Sequence, residues 1–280
     1  MRLGGEGPSG NFEDRTGSGG GFGGGGGNML GCLLPLVMSR FGIIGVVILL
    51  LGYCALQSLG GGGSLLPGGG GGTTAPATQG ESRLTAEQRR VLVGTLASTE
   101  QVWGRIFEAA GVTYQPANMI AYTRGTQSGC GAAQAAMGPF YCPTDQSIYI
   151  DPAFFDELTR RFKAPGDFAQ IYVVAHEVGH HIQGLQGRLG GGSNNNQQQV
   201  AIELQADCYA GVWAKQSGGL EAGDIEEGMR AAEAIGDDTL QQQSQGVVVP
   251  ESFTHGTSAQ RMAALRTGLQ SGDPAACKFS

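Results

Sequence analysis

Two histidines and a glutamate near the middle of the chain have the types and spacing for metal chemistry. In Ala175-His176-Glu177-Val178-Gly179-His180-His181, His176 and His180 are four residues apart. On a helix their imidazoles share one face and can bind one cation. Glu177 stands about 100° round the helix from His176, within reach of a water held by that cation. This is the His-Glu-x-x-His spacing in which two histidines bind zinc and the glutamate acts as general base. A catalytic zinc takes three protein ligands and one water, so a third ligand must come from elsewhere. In Ile202-Glu203-Leu204-Gln205-Ala206-Asp207, Glu203 and Asp207 are again four apart and share a helix face. Glu203 can complete the ligand set. Asp207 can accept a hydrogen bond from the far nitrogen of a ligating histidine and fix its tautomer. The neighbours Ala201, Ile202, Leu204, Ala206 and Ala210 mark a packed helix rather than a solvated one. A structural zinc would take four protein ligands and have no use for Glu177. The set therefore favours catalysis over a non-catalytic binding or assembly module built round a zinc centre.

The elements that must position these residues lie beyond residue 80. The chain has 280 residues and 51 glycines, and glycine runs crowd Gly17–Gly27, Gly60–Gly63 and Gly68–Gly72. Chain so rich in glycine buries too little apolar surface to offset its ordering entropy. The sequence thus predicts a disordered tail over 1–29, a linker over 60–80, and a folded domain over 81–280. Thr85, with Gln88 three residues on, reads as the start of a first helix that runs to Gly111. Met119–Thr123 and Ser147–Asp151 read as short strands. Beyond Pro152 the pattern is helical, with helices expected over 152–163, 167–185, 197–217, 223–235 and 258–270. A small sheet followed by helices makes an α+β domain.

Phe41–Leu59 is a stretch without a charge, about 28 Å long as a helix, and Leu30–Met38 is an apolar run before it. Residues 30–59 therefore read as one uncleaved transmembrane anchor. A buried helix of a soluble core is the alternative, but nothing beside it could cover it. Arg40 precedes the span and no Lys or Arg follows before Arg83. The positive-inside rule then predicts a cytoplasmic tail and a single-pass membrane protein whose catalytic domain is periplasmic or extracellular. Four cysteines, Cys130, Cys142, Cys208 and Cys277, fall in the folded region. An even number in an exported domain fits two disulfides, Cys130–Cys142 and Cys208–Cys277 being the first choice. Free thiols and a cysteine zinc site are the alternatives, the latter without Cys-x-x-Cys spacing. The formal net charge is −7, and up to residue 80 Arg2, Arg15 and Arg40 balance Glu6, Glu13 and Asp14. An acidic domain without a basic stripe argues against a nucleic-acid partner.

At these residues the chain resembles the neutral zinc metallopeptidases of the YpfJ type. The resemblance runs through Gly138-Pro-Phe-Tyr-Cys-Pro143, Ala164-Pro-Gly-Asp-Phe-Ala-Gln170, His176–His181, Glu203-Leu-Gln-Ala-Asp-Cys-Tyr-Ala-Gly-Val-Trp213, Ile235-Gly-Asp-Asp238 and Phe253-Thr-His-Gly-Thr-Ser-Ala-Gln-Arg261. Asn11-Phe-Glu-Asp-Arg15 extends it into the tail. The paired motifs are also similar to those of gluzincins, zincins whose third ligand is a glutamate on a later helix. That likeness implies a zincin-like domain, Zn2+ bound by His176, His180 and Glu203, and Glu177 as base in peptide hydrolysis. It also implies a His or Arg over the oxyanion, for which His255 and Arg261 are the candidates. Peptide or protein substrates would add a strand to an exposed sheet edge above the active-site helix, and either expected strand could be that edge. A cell-wall amide is the other target considered, although the chain has no internal repeat of the kind that recognises cell wall.

Overall fold

The structure, a computed structural model, describes residues 1–4, 7, 9–17, 81–189 and 195–279. Strand β1 (Phe12–Asp14) is followed, after residue 80, by helix α1 (Ala86–Ala109). Thr85 Oγ1 accepts from the Gln88 N–H at 3.1 Å and the Gln88 side chain accepts from the Thr85 N–H at 3.0 Å, the reciprocal cap that the sequence predicts. Then come β2 (Asn118–Ala121), β3 (Gly125–Ser128), β4 (Gly131–Gln134), β5 (Phe140–Cys142) and β6 (Ser147–Ile150). The remainder is helical: α2 (Ala153–Arg160), α3 (Asp167–Leu185), α4 (Asn196–Ser217), α5 (Asp224–Ala234), α6 (Asp237–Gln245) and α7 (Ser258–Ser271). The architecture is α+β and mostly helical, as expected.

Four strands form one sheet in the order β1-β2-β6-β5. β1, β2 and β6 run parallel, and β5 runs antiparallel to β6 with Tyr141 opposite Ile148. β3 and β4 make a separate antiparallel hairpin. The expected strands Met119–Thr123 and Ser147–Asp151 correspond to β2 and β6, which are interior. The expectation that one of them is the exposed edge is corrected: the edges are β1 and β5. The Cys130–Cys142 disulfide ties the β3–β4 hairpin to β5, and Cys208–Cys277 ties α4 to the C-terminal segment, with Cα separations of 5.8 and 5.6 Å.

α3 is the central helix, with Phe168, Ile171, Tyr172, Val174, Val178 and Ile182 buried. Its first turn is held by acids from both sides. The Phe168 N–H donates to Glu227 Oε2 at 3.1 Å, and the Met1 ammonium lies 3.1 Å from both Asp167 and Asp224. Glycines let its neighbours come close. A Cβ at Gly179 would lie 2.8 Å from the Ala206 carbonyl oxygen, so α3 and α4 touch backbone to backbone between the two chemical motifs. Gly211 and Gly268 permit the same approach of α4 to α7, whose start is fixed by a second reciprocal cap between Thr257 and Gln260.

The disordered tail expected over 1–29 is corrected for its described part. Residues 9–17 are built onto the sheet of the folded unit, Phe12–Asp14 pairing with β2. The Met119 N–H donates to the Asn11 carbonyl at 2.8 Å and the Arg15 N–H to the Ala121 carbonyl at 2.7 Å. Ser9 Oγ and Asn11 Nδ2 both donate to Glu100 Oε1, at 2.7 and 2.8 Å. The tail also closes on residue 83, because Thr16 Oγ1 accepts from the Arg83 N–H at 2.9 Å. The unit is thus not 81–280 alone; it includes residues 1–17. Glycine content misled because pairing of β1 uses backbone groups, which need little apolar surface beyond Phe12. A strand cannot lie across a bilayer from the strand it pairs with. The described tail and residue 83 therefore belong to one folded unit. The anchor expected over 30–59 and the linker over 60–80 lie outside the described residues. Among the described residues no helix is long and apolar enough to cross a membrane.

Candidate active site

Each histidine of the motif has its tautomer set by its Nδ1. Asp207 is acceptor-only, so His176 Nδ1–H donates to Asp207 Oδ1 at 2.7 Å. His180 Nδ1–H donates to Gln183 Oε1 at 2.9 Å, the Gln183 amide nitrogen being committed to the Ile202 carbonyl and Gln205. Both Nε2 atoms are then bare acceptors, and they face each other at 3.1 Å. The Glu203 carboxylate joins them, 3.3 Å from His176 Nε2 and 3.5 Å from His180 Nε2. The three ligand atoms lie within 4.8 Å of one another. Gln199 Nε2 donates to Glu203 Oε1 at 3.4 Å, but no donor serves the two facing Nε2 atoms, and such acceptors converge in a buried place only round something positive.

The electrostatics agree. Burial alone would lower the His176 pKa, but the Asp207 charge and hydrogen bond, with help from Glu203, push it up to about 10. Burial would likewise lower the His180 pKa, but the carboxylate of Glu203 outweighs it and raises it. Glu203 is held well below the usual carboxylate range by the two histidines despite its burial. The centre demands a positive charge, supplied by a proton or by a metal cation. Two imidazoles and a carboxylate are a donor set for zinc, so the residues present fit that ion. Glu177 stands beside them, buried, and its Oε2 has no hydrogen-bond partner. A second acidic group, Asp167, Asp224 and Glu227, is already served by the Met1 ammonium and the Phe168 N–H.

Asp207 lies where the sequence analysis puts it, but its surroundings are richer. Its Oδ1 accepts from Tyr172 OH at 2.5 Å and from Arg261 Nη2 at 2.9 Å, and its Oδ2 accepts from Arg261 Nε at 2.9 Å. Arg261 Nη1 donates to the Ile235 carbonyl at 3.1 Å, and the side chain is 3 % exposed. Arg261, a candidate for the oxyanion, borders the cleft with its side chain buried. Its fork is spent on Asp207 and on the Ile235 carbonyl at the α5 C-terminus. His255 is placed differently. It lines the cleft half-exposed, with Nδ1 3.2 Å from Asp237 Oδ1 and 3.0 Å from Thr254 Oγ1, so Nε2 is the uncommitted nitrogen. Asp237 Oδ2 also accepts from the N–H groups of Thr254, His255 and Gly256 and so wraps the loop that presents the imidazole. Burial would raise the Asp237 pKa, but these bonds lower it.

The cleft encloses about 630 Å³ and is walled by Gly138, Phe140 and Tyr141 from the β5 side, by His176, Glu177 and Glu203 at its base, and by His255 opposite. Sequence reasoning missed Tyr172, Gln183 and Asp237. The first two were within reach, since Tyr172 is four residues before His176 and Gln183 three after His180 on one helix. Nothing local marks Asp237, whose partners are 17 to 19 residues away.

His181 is fully buried and bonded away from the ligand cluster. Its Nε2–H donates to the Gln115 carbonyl at 2.6 Å and its Nδ1 accepts from Tyr141 OH at 3.2 Å. It latches the edge strand β5 to α3. Burial lowers its pKa below the ordinary 6.5, against the opposing pull of the Gln115 bond. The unfolded chain therefore binds this proton more readily, and the neutral latch contributes stability that is lost as pH falls below about 6.5. His181→Asn is expected to flatten the fall in Tm between pH 7.5 and 5.5, measured in parallel with the wild type.

A cleft over two imidazole nitrogens and a carboxylate, with the Glu177 carboxylate beside them, defines a protein able to hold a metal cation. The family described as "Putative neutral zinc metallopeptidase" matches residues 1–279, and the chain belongs to that family. Zinc is accordingly its cofactor. The uncharacterised protein YpfJ of Escherichia coli K12 is 45% identical over 99% of this chain and 98% of its own length. The uncharacterised protein Rv2575 of Mycobacterium tuberculosis H37Rv is 41% identical over 66% of this chain and 68% of its own length. No solved structure gives a significant match.

Proposed function

We propose that the protein is a zinc metallopeptidase of zincin-like arrangement, with His176, His180 and Glu203 as the ligands and Glu177 as general base. The observation that carries this reading is the pairing of a buried cluster of two imidazole nitrogens and a carboxylate with an unpartnered Glu177 Oε2 in one cleft. Bound zinc supplies a Lewis acid that lowers the pKa of water and polarises a carbonyl. Glu177 Oε2 takes a proton from the attacking water and returns it to the leaving amine. His255 Nε2 donates to the oxyanion, held for that purpose by Asp237. Tyr172, Asp207 and Arg261 keep His176 Nδ1 protonated and its Nε2 directed inward, and Gln183 does the same for His180.

The substrate main chain pairs with β5. This strand is the sheet edge on the cleft, its backbone neighbours Gly138 and Pro139 are cleft residues, and a peptide laid along it passes over Glu177. Removing zinc with a chelator is expected to abolish cleavage of unstructured peptides, and one equivalent of zinc to restore it. Stoichiometric zinc without cleavage would instead indicate a binding module.

The location we propose is an oxidising compartment outside the cytoplasm, supported by the two disulfides. Attachment to the membrane through residues 30–59 then has to leave both flanks on one face, because residues 9–17 and 81–83 are bonded together. Single cysteines at Gly10 and Glu108, in a background lacking Cys32 and Cys54, are expected to react alike with an impermeant maleimide on intact cells. Protection of one alone would defeat this topology.

A further inference from the structure

One cation on the cleft wall has no part in the mechanism above. Arg188 follows α3, is exposed, and lines the cleft beside Leu189, Gln199 and Ile202. Its backbone is fixed, the N–H donating to the Gln183 carbonyl at 2.9 Å. Its guanidinium has one partner among the described residues, Gln205 Oε1 at 3.2 Å, a neutral acceptor. Gln205 is itself buried and anchored by its amide nitrogen to the Cys277 carbonyl at 2.7 Å, so the arginine leans on a rigid support.

The other charged groups of the cleft are committed. Glu203 belongs to the metal centre, Glu177 is the proposed base, and Arg261 is paired with Asp207. No ion pair joins Arg188 to a carboxylate among the described residues, and the adjoining residues Gly190, Gly191, Gly192, Ser193 and Asn194 carry none. A guanidinium is a planar fork that matches a carboxylate through two parallel hydrogen bonds.

We propose that Arg188 is a specificity residue that binds a carboxylate of the substrate, either an acidic side chain or the C-terminal carboxylate, when the peptide lies in the cleft. This deepens the peptidase reading and rests on it for the site, but its test is binding rather than turnover.

The zinc-loaded E177Q protein leaves peptides intact and serves as the binding form. The probes are fluorescent decapeptides of alanine and leucine, with one glutamate walked through the positions and the C-terminus either free or amidated. A carboxylate at one position or at the chain end is expected to tighten Kd about tenfold over the neutral amidated peptide, the worth of one charge-assisted bond. The two arms separate side chain from chain end. Adding R188Q is expected to shrink that preference to under about twofold, and R188K to leave an intermediate one, because lysine keeps the charge without the fork. Binding of neutral peptide with no preference for carboxylate, or a preference that survives R188Q, overturns the proposal and leaves the hydrolase reading standing. Failure to bind any peptide overturns both.

Discussion

Glu177→Gln is expected to lower kcat/KM for peptide cleavage by about a thousandfold while zinc stays at one equivalent, since a positioned general base is worth roughly 10²–10⁴ in rate. The separation of the two readouts follows from geometry. The ligand cluster is His176, His180 and Glu203, and none of its atoms hydrogen-bonds to Glu177. The Glu177 Oε2 atom has no partner at all, so an amide there breaks no bond and leaves the fold and the ion in place. Glutamine fills the same volume but has no basic oxygen, so it can orient a water without taking its proton. Metal analysis and thermal unfolding should match the wild type, and steady-state hydrolysis should not. A variant that loses zinc along with activity would make Glu177 part of the binding site. A variant that keeps activity would remove it from the reaction.

How far the sequence reached depends on the distance over which each feature is written. The ligands and Asp207 were legible because a helix converts a spacing of four into a shared face, and the two motifs each lie within one helix. The Thr85 cap and both disulfide pairs were legible too. β1, β5 and α6 were not. β5 is Phe-Tyr-Cys, too short for an alternating pattern, and α6 is Asp-Asp-Thr-Leu-Gln-Gln-Gln-Ser-Gln, with one apolar residue and hence no stripe. β1 carries Phe12 between polar residues and is held by backbone pairing and by Glu100, 89 residues from Asn11. A role for Arg261 over the oxyanion is what the likeness to gluzincins implies, and Arg261 stands in the first turn of the last helix. What decides its role is the Asp207 carboxylate, 54 residues away and reached only through the close approach of α4 and α7.

Asp207→Asn is expected to destabilise the protein by about 3–5 kcal/mol, the usual result of leaving a buried charge without its partner. Arg261 is the charge in question, almost fully buried and bonded twice to that carboxylate. Burial would raise the Asp207 pKa, but Arg261 and His176 hold it far below the carboxylate range, so its charge is in place at every pH above about 4. In the ion-free protein His176 is raised to about 10, and a raised base contributes stability below its unfolded pKa that is lost as pH climbs through the folded one. The penalty of Asp207→Asn on ion-free protein should therefore shrink between pH 6.5 and 10, while zinc-loaded protein should show no such slope. The double variant with Arg261→Met tests the cause. Removing both charges should recover most of the stability in urea unfolding, because no ion is then stranded. It should not recover zinc affinity, expected to stay about 10–100-fold weaker, because His176 Nδ1 still lacks the carboxylate that fixes its tautomer. Recovery of both together would mean that Asp207 serves the fold alone and that His176 needs no help to face the ion.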